Sequence, residues 1–192
     1  MKRIEALRVI TDRTPDLAVT ATCAATSREL AAVADRDNHL YLLDAMGLTV
    51  SVGTGVALGI AGTKVSRSVV IDGDGSLLMN LGAAATAGYL APDNLVILLL
   101  DNGVYASTAG IPTQAEKLDL GAIAESVRLQ VLRAADTTEL GNALQRALAE
   151  PGPWFVHVRI EPGNEPGTPL LLIDPVVHAD RFRRWLTNRI AA

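Results

Sequence analysis

Six consecutive aliphatic residues, Leu95–Leu100 (LVILLL), constrain this chain more than any other feature. The run is far short of the ~20 residues a membrane helix needs. Bounded by Pro92-Asp93-Asn94 and Asp101-Asn102-Gly103, it reads as a strand buried on both faces. Such strands occur inside parallel sheets covered by helices on each side. The remaining apolar runs agree with that reading. Candidate strands are 17–21, 40–43, 68–71, 95–100, 129–133 and 154–160, separated by helical patterns near 27–34, 49–61, 77–89, 117–127 and 138–148. The expected fold is α/β: a three-layer, doubly wound, mainly parallel sheet in one domain over residues 1–192. Asp174-Pro175 reads as the N-cap and first residue of a terminal helix.

Composition narrows the function classes. A net charge of −4 and a pI near 5.3 offer no basic field, so nucleic-acid binding is disfavoured. Glu5 and Arg8 interrupt the N-terminal apolar stretch, so no signal peptide and no membrane segment are expected. The single cysteine, Cys23, excludes a disulfide framework and a thiolate zinc site, and points to a reducing, cytoplasmic setting.

Ligands of an open parallel sheet sit at the carboxyl ends of its strands. There the strand ending at Ile71 runs into Asp72-Gly73-Asp74-Gly75-Ser76, and a helix follows. Its two glycines allow close backbone approach, and the helix amides favour an anion such as a phosphate. Asp74 beside a phosphate makes sense with a hard cation between them, for which Mg²⁺ is the natural choice. Asn102 follows 28 residues after Asp74 (102 − 74), at the end of the next strand, and with the Val104 carbonyl can complete an oxygen ligand set. Alone, Gly-Asp-Gly is weak and fits a surface turn. Gly53, Gly55 and Gly59 lie within a helical pattern and read as close helix–sheet packing rather than a nucleotide fingerprint. His39, His157 and His178 read as structural, and Arg181–Arg184 as a solvated helix face.

The stretch from Gly73 to Thr113 resembles the cofactor-binding half of the thiamine-diphosphate-dependent sulfopyruvate and phosphonopyruvate decarboxylases. The opening MKRIEALRVI, TSREL at 26–30, AMGL at 45–48, EPGN at 161–164 and Arg181-Phe182 resemble the same family. The resemblance implies that Asp74, Asn102 and the Val104 carbonyl hold Mg²⁺ on the diphosphate of thiamine diphosphate. It assigns Gly75, Ser76, Thr26 and Ser27 to the phosphates, and Gly73 and Tyr105 to the same cofactor site. The Asp44 carbonyl would accept from the aminopyrimidine, and Met46 would be the apolar wedge that bends the cofactor. Asp44-Ala45, Ala24 (usually glycine) and Ile111 (where relatives carry a glutamine) depart from the family pattern.

The implied activity is decarboxylation of a small 2-oxo acid, 3-sulfopyruvate or 3-phosphonopyruvate. Carboligation with the same cofactor, or a non-catalytic cofactor-binding or regulatory subunit, are the alternatives. No catalytic residue is expected on this chain. The activating glutamate is expected on a separate subunit that carries the aminopyrimidine-binding domain.

Overall fold

The computed structural model describes residues 1–191. Its main sheet has six parallel strands: β1 (Ala18–Ala21), β2 (His39–Tyr41), β3 (Ser68–Gly73), β4 (Leu95–Asp101), β7 (Gln130–Ala134) and β8 (Trp154–Arg159), in the order β2-β1-β3-β4-β8-β7. β5 (Val104–Tyr105) and β6 (Ile111–Pro112) form a separate antiparallel hairpin. The helices are α1 (Arg3–Arg13), α2 (Ala25–Ala34), α3 (Thr49–Gly59), α4 (Asp74–Met79), α5 (Gly82–Leu90), α6 (Leu120–Ser126), α7 (Thr137–Ala149) and α8 (Pro175–Ala191).

Side-chain alternation along each strand divides the core in two. Val69, Ile71, Val96, Leu98, Val156 and Val158 pack with α1, α2 and α7 on one face. Val70, Leu95, Ile97, Leu99 and Phe155 pack with α3, α4, α5 and α6 on the other. All seven residues of β4 are buried, as its unbroken aliphatic run requires. A third, smaller cluster of Ala18, Ile60, Val65 and Phe182 seats α8 beside the β2 edge. Among the described residues no helix is long and apolar enough to cross a membrane.

This three-layer parallel sheet is the expected fold, with local differences. α1 stands where the sequence was read only for the absence of a leader. The helix expected over 77–89 is two: α4 begins at Asp74, and the chain breaks at Asn80, whose φ −146° and ψ 61° leave the helical region. The pattern near 117–127 resolves into a 3₁₀ turn at Gln114–Glu116 and α6, whose start is set by the Asp119 carboxylate accepting from the Ala122 amide at 3.0 Å. Of the α3 glycines only Gly53 is a packing glycine: a Cβ there would lie 2.0 Å from Val70, while Gly55 and Gly59 face open space. Arg181 is half-buried rather than simply solvated, and both its Nη atoms donate to Asp35 at 2.9 and 2.7 Å. His178 is structural as expected, its Nε2 accepting from the Tyr41 amide at 2.8 Å. Asp174 caps α8 by accepting from the amides of Val176 and Val177 at 2.8 and 3.0 Å.

From β1 the chain leaves toward α2 on one face, and from β3 toward α4 on the other. The two strands are neighbours, so a crevice opens between their carboxyl ends.

Candidate functional site

That crevice opens into a small cleft of about 80 Å³, lined by residues 22–26, Met46, 73–76, Leu100, Asn102 and 104–107, with Arg3 also on its wall. Register explains why its parts meet. β3 and β4 run in parallel with Gly73 opposite Leu100, so both strands deliver their terminal loops at one level.

Asp74 is the first residue of α4 and is 2% exposed. Its Oδ1 accepts from the Asn102 amide at 3.4 Å and its Oδ2 from the Thr113 hydroxyl at 2.6 Å. Burial raises its pKa above the usual carboxylate value; the Thr113 hydrogen bond opposes the rise and the charge of Asp101 adds to it. A divalent cation at this carboxylate would reverse the penalty. Asn102 turns its Oδ1 toward the Val104 amide at 3.0 Å, which leaves a second lone pair on that oxygen. Asp74, Asn102 and Val104 all line the cleft, and the Val104 carbonyl accepts from the Ala106 amide at 3.0 Å. Among the described residues no group of three or more His, Cys, Asp or Glu side chains is placed to hold a metal.

The glycines of this loop have separate reasons. A Cβ on Gly75 would lie 2.6 Å from the Tyr105 ring, so glycine lets that ring close over the start of α4. A Cβ on Gly73 would meet only the Leu100 carbonyl at 4.0 Å, so it would project into the cleft and take a ligand's space. The oxygen donors and the space kept open at Gly73 are of the kind a magnesium-bound diphosphate needs.

Other residues expected at the site are placed less directly. The Ser76 hydroxyl accepts from the Gly47 amide at 3.0 Å and from Thr22 Oγ1 at 3.1 Å, tying together the loops after β1, β2 and β3. The Ser27 hydroxyl donates to the Thr22 carbonyl, while Thr26 lines the cleft. Met46 lines it too. Asp44 is exposed and belongs to an adjoining groove lined by Leu43 and residues 170–175. Ala24 holds φ 62° and ψ −132°, a conformation that glycine adopts more readily than alanine.

Three residues escaped the sequence reading. Thr113 reaches Asp74 because the β5–β6 hairpin folds back, with Tyr105 opposite Ile111. Gly103 and Gly110, both at positive φ, directly precede β5 and β6 and were the available signal. Asp72 is a buried support rather than a turn residue. Its Oδ1 accepts from Thr49 Oγ1 and the Gly73 amide, both at 3.0 Å, and burial pushes its pKa up to about 6. Asp101 is fully buried before Asn102. Its Oδ2 lies 2.7 Å from His157 Nε2 and accepts from Arg159 at 2.6 Å, while Oδ1 accepts from the Gly103 amide at 3.0 Å. Burial raises the Asp101 pKa, but the bonds from His157 and Arg159 outweigh it and leave it below the usual value. Nothing in a single sequence marks that clamp, because its members lie 56 and 58 residues apart.

Comparison with known proteins follows the same geometry. Residues 22–158 match the model of the thiamine pyrophosphate enzyme C-terminal TPP binding domain. The chain is 42% identical over 182 residues to the sulfopyruvate decarboxylase subunit beta of Methanothermobacter thermautotrophicus, covering 95% of this chain and 94% of that one. It is 43% identical over 188 residues to the phosphonopyruvate decarboxylase of Streptomyces viridochromogenes, covering 97% of this chain but only 46% of that relative. In structure it resembles benzoylformate decarboxylase from Polynucleobacter necessarius with a TM-score of 0.72 at 19% identity, over 84% of this chain and 33% of that one. This last likeness concerns the fold alone.

Proposed function

This chain belongs to the thiamine pyrophosphate enzymes, in the family of their C-terminal TPP-binding domain, and from that premise we propose that it is the diphosphate- and magnesium-binding subunit of a 2-oxo acid decarboxylase. The substrate class is a small 2-oxo acid with a sulfonate or phosphonate on carbon 3, after the names of its relatives. The observation that carries this reading is the buried carboxylate of Asp74, set beside Asn102 by the register of β3 and β4.

In this reading Asp74, the Asn102 side chain and the Val104 carbonyl hold Mg²⁺. Gly75, Ser76, Thr26 and Ser27 contact the phosphates, and Gly73 belongs to the same cofactor site. Tyr105 walls the site over Gly75, Met46 supplies the apolar wedge, and the Asp44 carbonyl accepts from the aminopyrimidine. Thiamine diphosphate, when bound, supplies the electron sink that accepts the bonding pair of the departing carboxylate. The chain itself fixes the metal, orients the cofactor and keeps water from the cleft. A subunit that had lost turnover would have little reason to bury Asp74 against the cost of its desolvation.

The other half of the enzyme belongs to a separate subunit carrying the aminopyrimidine-binding domain and the activating glutamate. Two relatives support this division. One is named subunit beta and matches this chain along almost its whole length; the other is a single chain of which this one spans about half. We treat 1–192 as a single cofactor-binding domain, since both larger core clusters lie on one six-stranded sheet. Cys23, free and buried, fits a reducing cytoplasm.

The test is an assay of the purified chain alone and co-expressed with its partner, using 3-sulfopyruvate, 3-phosphonopyruvate and pyruvate. Decarboxylation that needs the partner, Mg²⁺ and thiamine diphosphate is expected; adding an acceptor aldehyde reports carboligation. Full activity of this chain alone would overturn the split site. A melting temperature indifferent to Mg²⁺ and thiamine diphosphate with the partner present would overturn the cofactor assignment.

A further inference from the structure

Three of the motifs set apart in the sequence, the opening MKRIEALRVI, TSREL and EPGN, contain Arg3, Glu29 and residues 163–165, for which no role has been given so far. They converge on one side chain. Arg3, in the first turn of α1, is 5% exposed. Its Nη1 donates to Glu29 Oε1 at 2.9 Å and to Asn164 Oδ1 at 3.2 Å, and its Nη2 donates to the Gly163 carbonyl at 3.0 Å. Glu29, itself 1% exposed, also accepts the Glu165 amide on Oε1 at 3.0 Å. One motif supplies the cation, one the anion and one the frame.

The location of this pair is what gives it a use. Glu29 and residues 161–165 line a small cavity, and Arg3 lines both that cavity and the cofactor cleft. The pair is neutral as a whole, but Arg3 is the member that lines the cleft, and the charge of Asp74 acts on its guanidinium. Among the described residues lining the cleft, Arg3 is the one basic side chain and Asp74 the one acidic side chain. A guanidinium carries five N–H donors in a fixed fork and does not lose its charge in proteins. Three are used by Glu29, Asn164 and Gly163, leaving Nε–H and one Nη2–H without a partner among the described residues.

Charge counting gives the reason a cation belongs there. A diphosphate ester brings about three negative charges and Asp74 one more, against two positive charges on Mg²⁺, so about two negative charges remain uncompensated. Glu29 already balances the charge of Arg3, so the pair adds no net charge; what Arg3 adds is a local cation with unused N–H donors near that excess. A purely structural tie between α1 and α2 has no need to place its cationic end at this cleft.

We propose that Arg3 is a diphosphate-binding residue, aimed from behind by Glu29 and the 163–165 segment. This rests on the reading above that thiamine diphosphate fills the cleft.

The experiment measures, by calorimetry on the full chain co-purified with its partner and stripped of cofactor, the Kd for Mg²⁺–thiamine diphosphate, Mg²⁺–inorganic diphosphate and thiamine. Arg3→Met is expected to raise both diphosphate Kd values about 10- to 100-fold, the loss typical of a charge-assisted hydrogen bond, and to leave thiamine unchanged. Arg3→Lys keeps a cation beside Glu29 but lacks the fork, and should show a smaller rise confined to the same two ligands. It also decides the matter should Arg3→Met fail to fold. Unchanged diphosphate affinity in Arg3→Lys and in folded Arg3→Met, with only a lower melting temperature, would make Arg3 a structural tie and overturn the inference. Absence of thiamine diphosphate binding by the wild-type enzyme would instead overturn the cofactor reading on which it stands.

Discussion

The Thr113 hydroxyl donates to Asp74 Oδ2 at 2.6 Å across 39 residues of chain. It joins the far end of the β5–β6 hairpin to the first residue of α4, so the loop over the site and the proposed metal ligand are positioned together. The bond also fixes which carboxylate oxygen is engaged and leaves Oδ1 with only the weaker 3.4 Å contact from Asn102.

Thr113→Val keeps the shape of the side chain and removes that donor. Affinity for Mg²⁺–thiamine diphosphate should fall about tenfold, in line with one hydrogen bond to a charged group. Calorimetry against the wild-type enzyme checks it, and an unchanged Kd would mean the hairpin does not help to set the carboxylate.

Asp74→Asn tests the proposed metal ligand from the opposite direction. Burial disfavours the ionised carboxylate, so the neutral amide should leave the melting temperature of the cofactor-free protein equal or higher. The rise in melting temperature caused by Mg²⁺ and thiamine diphosphate should disappear. Asn102→Ala should shrink that rise without abolishing it, because water can replace a neutral ligand.

Ala24→Gly should stabilise the fold. At φ 62° and ψ −132° the Cβ of Ala24 carries strain of about 1–3 kcal/mol, while glycine's extra unfolded-state freedom costs roughly 0.5–1 kcal/mol. A net gain of about 1 kcal/mol in urea denaturation is expected. A loss would show that the Cβ makes compensating contacts.

His39 gives the fold a pH dependence remote from the cleft. Burial, then the charge of Arg36, lowers its pKa from 6.5 to about 4; Arg181 adds to the fall, while Asp35 and the Ala34 backbone oppose it. A depressed folded-state value means that the unfolded chain binds the proton first. The contribution is therefore fully present above pH 6.5 and is lost as pH falls toward 4, by about 3 kcal/mol in all. Urea midpoints across this window should decline less steeply in His39→Gln than in wild type. Parallel profiles would reject the assignment.

Sequence alone carried the architecture a long way, and the site part of the way. LVILLL reads as a strand buried on both faces, because its six aliphatic residues in a row, bounded by turn residues, leave no solvent face at a period of two. Asp174-Pro175 marked the start of α8 through local chemistry that needs no tertiary partner. Asp74 and Asn102 were legible because each sits directly beyond a recognisable strand, and neighbouring parallel strands put such positions at one level. Thr113, Asp101 and Arg3 were not. Each acts through a partner on another element: Thr113 across a hairpin, Asp101 through His157 and Arg159 on β8, and Arg3 through Glu29 on α2 and the 163–165 segment. Local pattern reports which face of an element is buried and where it begins. It does not report which polar group meets which across the chain, since that depends on strand order, register and the direction each loop takes. Those are set only when the whole sheet closes on its two helical layers.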